Sequence, residues 1–140
     1  MSGVTSSSYR IQNRIDYNPR LSVLRIVSLE NAISKAKELA RSKLSEGLNV
    51  DEFLEIGEAD GFKIYIIAGK TVGDSPYPFH ENPRDVFMLI LEGEVEFLFQ
   101  NGRRMTAKAG ECFVLRKNLK HQCVFKTLTI ALEGVFEKEP

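Results

Sequence analysis

Apolar positions along this chain change period once. Before about residue 50 there is one stretch in which Leu29, Ala32, Ile33, Ala36, Leu39, Ala40 and Leu44 recur every three or four residues. That spacing places them on one face of an amphipathic helix. Ser28 is its N-cap candidate, Gly47 suits the residue after its end, and Lys35, Lys37, Glu38, Arg41 and Lys43 take the other faces. From Asp51 onward the period shortens to two. Glu52 to Ile56, Phe62 to Ala68, Val86 to Leu91, Glu94 to Gln100, Arg103 to Lys108, Cys112 to Leu115 and Thr127 to Glu133 read as strands. Turn residues punctuate them: Ala59-Asp60-Gly61, Glu92-Gly93-Glu94, Asn101-Gly102, Ala109-Gly110 and Lys117-Asn118. Asn101-Gly102 predicts a two-residue hairpin.

Many short strands with frequent turns predict a sandwich or small barrel. The N-terminal region, residues 1–50, joins it as an arm and helix of the same fold, and residues 51–140 form the β-rich body. Residues 1–8 read as a polar tail. Tyr9 to Asp16 reads as an edge strand or an arm on a partner, and Leu21 to Val27 is β-rich. Pro76, Pro78 and Pro83 make residues 73–83 an irregular or edge segment, because proline donates nothing to a ladder.

Composition narrows the function classes. The chain has 140 residues, with nineteen acidic and nineteen basic side chains. A balanced chain without basic runs predicts no nucleic-acid partner. No apolar stretch reaches bilayer-spanning length, and the polar start lacks a signal-like apolar core, so a cytoplasmic protein without a membrane partner is expected. Cys112 and Cys123 are too few for a disulfide framework and are expected as buried, reduced thiols.

The chemistry concentrates at two histidines, the only ones in the chain. His80 lies in Phe79-His80-Glu81-Asn82, ahead of the apolar run and Gly93. His121 follows Gly110 by eleven residues. This arrangement resembles the two sequence motifs of the cupin superfamily. The first runs Gly, five residues, His-x-His, three or four residues, Glu, six residues, Gly. The second runs Gly, five residues, Pro-x-Gly, two residues, His, three residues, Asn. The first-motif spacing puts Asn82 at the second histidine position and Val86 at the glutamate position. In the second motif His121 is kept, while Arg116, Asn118 and Phe125 replace the proline, glycine and asparagine.

The resemblance covers about residues 62–136 and implies a mainly β fold, a double-stranded β-helix or jelly-roll barrel with one N-terminal α-helix packed outside. It also implies that His80 and His121 converge in one pocket. With Asn82, Val86, Met88 and Cys123, they are the expected ligand-binding lining. Two imidazoles would be the core of any metal site, completed by Asn82, or by Asp85 if a β-bulge turned it inward. Such a set suits zinc, nickel, iron or copper, and a site with no metal is an equal expectation. Glu81 should point away. Met88 and Ile90 should face in with Val86, whereas Phe87, Leu89 and Leu91 should face out and need a cover, from the helix or from a second subunit in a homodimer.

Three functions remain open from the sequence. The first is a barrel binding a small polar organic ligand. The second is a metal-dependent enzyme, an isomerase, lyase or oxygenase, using His80 and His121. The third is a structural or oligomeric protein without a ligand.

Overall fold

A computed structural model describes residues 26–73 and 78–137. The expectations for residues 1–25 lie outside them. One helix, α1 (Leu29–Ser45), precedes eight strands: β1 (Val50–Ala59), β2 (Phe62–Lys70), β3 (Val86–Glu92), β4 (Glu94–Phe99), β5 (Arg104–Lys108), β6 (Cys112–Leu115), β7 (His121–Val124) and β8 (Thr129–Phe136). They form two antiparallel sheets, one ordered β1-β2-β8-β3-β6 and the other β5-β4-β7.

The period of two divides the larger sheet into two apolar faces. Ile67, Val86, Met88, Ile90, Leu115, Ala131 and Val135 meet Val95, Phe97 and Ala107 of the smaller sheet inside the barrel. Ile66, Ala68 and Ile130 face the other way and pack with Val50 under α1. Each fully buried valine, leucine, isoleucine or phenylalanine among them contributes roughly 1.5–3 kcal/mol, and each alanine less.

The Ser28 hydroxyl accepts from the Asn31 N–H at 3.2 Å, so the expected cap is present. The buried seam of α1 is narrower than its apolar stripe. Ala32, Ala36 and Ala40 are buried, while Leu29 and Leu39 remain 40% exposed. Small alanines let the helix axis lie close to the sheet, and the larger residues then flank the contact. Lys37 to Glu92 at 2.7 Å and Lys43 to Glu52 at 3.5 Å tie the helix to the sheet.

Two turns are worth contrast. Asp60 and Gly61 both have positive φ, 50° and 88°, and make the tight two-residue link between β1 and β2. Asn101-Gly102 does not make such a link. Gly102 N–H bonds to Phe99 O, Phe99 N–H bonds to Arg103 O, and only Gly102 is left-handed. This is a three-residue loop with a glycine bulge, with Asn101 Oδ1 accepting from the Arg103 N–H at 2.9 Å.

Gly93 links β3 to β4 with φ 82°, and a Cβ there would sit 2.7 Å from Thr129 Oγ1 and 2.8 Å from Leu128 O. The buried Thr129 hydroxyl donates to Glu94 O and accepts from Glu94 N–H. Glycine at this motif position is therefore demanded by both backbone sign and space.

Candidate functional site

The proline-containing segment before β3 is pinned to the start of β7. His80 N–H donates to His121 O, and His121 N–H donates to His80 O, both at 2.9 Å. Directly opposed residues of an antiparallel pair present their side chains on the same face. The two imidazoles accordingly meet at 4.4 Å between ring centroids, inclined at 60°. Phe97 of β4 approaches the His121 ring edge-on at 6.1 Å.

Both rings are oriented by their own loop. His121 Nδ1 lies 2.8 Å from Leu119 O, and His80 Nδ1 lies 3.3 Å from Pro78 O. A carbonyl only accepts, so Nδ1 carries the proton in the neutral ring and Nε2 keeps its lone pair. Burial pushes the His121 pKa below its ordinary value, and His80 adds to this, partly offset by the Leu119 carbonyl. His121 is thus a neutral acceptor at physiological pH.

The pair opens on a cavity of about 540 Å³. Asn82, Val86, Met88 and Cys123 line it with His80 and His121, so all six expected lining residues come together. Phe125 lines it too, and its ring fills the space over Gly69, where a Cβ would lie 2.9 Å from the ring. Ile90 sits in the same inner cluster as Val86 and Met88. Glu81 is exposed and does not line the cavity.

Asp85 is the correction. β3 pairs regularly from Val86 onward with both β6 and β8, and its one register shift lies between Ile90 and Glu92. With no bulge at its start, alternation sends Asp85 outward. Its Oδ1 accepts from Lys117 N–H at 2.8 Å and Arg116 Nε at 3.2 Å. The Lys117 bond, aided by Arg116, holds its carboxyl below the usual range. Asp85 caps the turn carrying left-handed Asn118 (φ 63°) rather than serving as a metal ligand. Asn118 N–H in turn donates to Asn82 O at 2.9 Å. These bonds tie the loop before β7 to the segment before β3.

Cys123 faces the cavity as alternation from His121 predicts, but burial, with Asp51 adding to it, pushes its thiol up to about 12. It is a neutral thiol at pH 7, not the thiolate that binds metal well. Cys112 is exposed, not buried as expected. It lies on β6 in the larger sheet while Cys123 lies on β7 in the smaller, and both are free thiols.

The sequence reading missed the cavity's carboxylates. Asp51 of β1, Glu133 of β8 and Glu137 beyond it also line the wall. Burial, with Glu137 and Asp51 adding to it, pushes the Glu133 carboxyl up to about 7. Burial also raises Asp51, reinforced by Glu52 and opposed by His80. The available signal was Glu133 itself, the one charged residue in β8.

A divalent metal held by protein side chains usually needs three or four donors in fixed geometry. Among the described residues, no three His, Cys, Asp or Glu side chains are placed to hold an ion together. Val86 puts hydrocarbon where the family motif has a carboxylate, so the described residues do not form a complete metal set.

No protein-family model and no curated protein sequence matches the chain. Solved structures do. A cupin-2 domain protein from Shewanella frigidimarina superposes with a TM-score of 0.54 at 17% identity, covering 73% of this chain and 96% of that one. The EutQ protein of Clostridium difficile gives 0.55 at 13% identity, covering 64% and 69%. An RmlC-like cupin with a double-stranded β-helix fold from Methanocaldococcus jannaschii gives 0.50 at 14% identity, covering 63% of this chain and 82% of that one. The chain therefore has the fold of the cupins it superposes on: a double-stranded β-helix with one helix outside and its two histidines paired within the barrel.

Proposed function

We propose that this chain binds a small polar organic ligand in the barrel cavity. Its polar contacts are His80, Asn82 and His121, set over an apolar floor of Val86 and Met88. The observation carrying the proposal is the histidine pair itself. Two imidazoles are oriented at 4.4 Å by loop carbonyls, in a cavity whose size is typical of small-molecule sites.

With only two histidines, ¹³C-labelled imidazoles give one signal each. A screen of small polar compounds should find some that move both signals together, and Met88→Trp, which fills the cavity, should abolish the response. A screen in which nothing moves either signal counts against the reading.

The oriented imidazoles are also what favours a second reading, a metal-dependent isomerase, lyase or oxygenase with zinc, nickel, iron or copper on His80 and His121. The described residues supply too few donors for it. Stoichiometric metal in protein purified without a histidine tag would establish that reading over the first.

A homodimer accompanies the proposal. The α1 cluster takes in Leu91 and Leu132, but Phe87 remains 41% exposed on the outer face of the larger sheet. Light scattering should give twice the 15.8 kDa chain mass; the mass of one chain at micromolar concentration would exclude it.

A further inference from the structure

The polar groups facing the cavity are mostly of one kind. The carboxyl groups of Asp51, an exposed residue, and Glu133, a half-buried one, have no hydrogen-bond or ion-pair partner among the described residues. The His121 side chain belongs to a residue only 1% exposed, and its Nδ1 is bonded to Leu119. Its Nε2 has no hydrogen-bond partner among the described residues. These are three sets of lone pairs brought from β1, β8 and β7, together with Glu137. Arg84 is the cationic side chain on the wall, against three carboxyl groups.

Carboxylates gathered on one cavity wall repel one another, and a cavity-facing acceptor without a protein donor is open to a ligand's donor. An anionic ligand would add to the repulsion. A neutral hydroxyl compound would supply donors and leave the charge. An ammonium or guanidinium group supplies donors only and offsets the charge as well. From this geometry we propose that the pocket is selective for a small organic cation, an amine or guanidine whose N–H groups are received by Glu133, Asp51 and His121 Nε2. The proposal rests on the small-ligand reading above and names its ligand class. The carbon part of such a ligand would lie on Val86, Met88 and Phe125.

The charge on Glu133 decides the pH dependence. Tyr65 faces it from β2 and Met88 from β3. Asp51, Glu137, Arg84, Cys123 and the histidines share its cavity. Its carboxyl, pushed up to about 7, is largely protonated in mildly acidic solution and ionises above neutrality. Cation binding should therefore tighten from pH 6 to pH 8 and release a proton near neutrality.

Butylamine, 1-butanol and butyrate share one carbon chain and differ in charge, so they form the test, read by the two imidazole signals. Butylammonium should move both signals at lower concentration than butanol, with butyrate weakest. Glu133→Gln, which keeps the side chain's shape, should weaken butylammonium about ten- to a hundredfold, and Asp51→Asn is the independent second variant. Butyrate binding as well as butylammonium would overturn the proposal, as would indifference to both substitutions or silence of all three probes. Zn²⁺ alone saturating both signals below the butylammonium range, in wild type and Glu133→Gln alike, would also overturn it. The small-ligand reading is judged separately, by the wider screen, so an anion found there would sink the cation and leave the pocket.

Discussion

His80 and His121 are joined twice, by backbone hydrogen bonds of 2.9 Å in each direction and by ring contact at 4.4 Å. The two members are unequal, because His121 is buried and His80 is exposed. His121→Ala should therefore lower unfolding stability by about 2–3 kcal/mol, through the cavity and the lost Leu119 bond. His80→Ala should cost less than about 1 kcal/mol. Urea unfolding of both variants checks this; equal losses would contradict it.

Restoring the missing carboxylate should create a metal site. Val86 lines the cavity with both imidazoles and is 6% exposed. Val86→Glu should bind Zn²⁺ at least about tenfold tighter than wild type, while the metal-free variant loses about 1–3 kcal/mol from burying a carboxyl. Calorimetric titration of the two proteins measures the difference.

Two cavity groups should contribute to the pH dependence of stability in opposite senses and offset each other below pH 6.5. His121 has a lowered pKa, so the unfolded chain takes up the proton first, and stability falls as pH drops below 6.5. Glu133 has a raised pKa, so its stabilising proton is held fully below its ordinary 4.5 and is lost as pH rises toward about 7. Glu133→Gln should remove the second loss, leaving a variant that gains on wild type between pH 5 and pH 8. Urea midpoints across that range test the sign.

The two thiols should react at different rates. Cys112 is exposed, whereas burial pushes the Cys123 thiol up to about 12. A thiol reagent at pH 8 should modify one cysteine quickly in the native protein and both after denaturation. Two fast thiols in the native state would mean that the cavity wall opens readily.

The elements were legible where local rules agree with packing. Ser28, the three- and four-residue spacing and Gly47 mark α1 because capping and amphipathicity are local. Asp60-Gly61 is a tight turn because both residues take positive φ. Asn101-Gly102 carries the same signal but became a three-residue loop, since the strand register left room for one more residue.

The candidate site was legible in part. Motif spacing brought His80, Asn82, Val86, Met88, His121 and Cys123 to one wall, and alternation does the rest once the strand faces are assigned. Asp85 hung on one question, whether β3 bulges at its start, and that depends on its partners β6 and β8 rather than on its own residues.

What the sequence by itself determined is the change of period, the capped helix, the turns and the two histidines at motif spacing. These depend on residues near one another along the chain. Only the tertiary structure decided that Asp51, eighty-two positions before Glu133, shares a cavity with it. It likewise decided that alanines rather than leucines seat the helix. The physical reason is that inward and outward are properties of a strand's neighbours. A lone acid in an apolar strand becomes a pocket group only when the sheet closes over it.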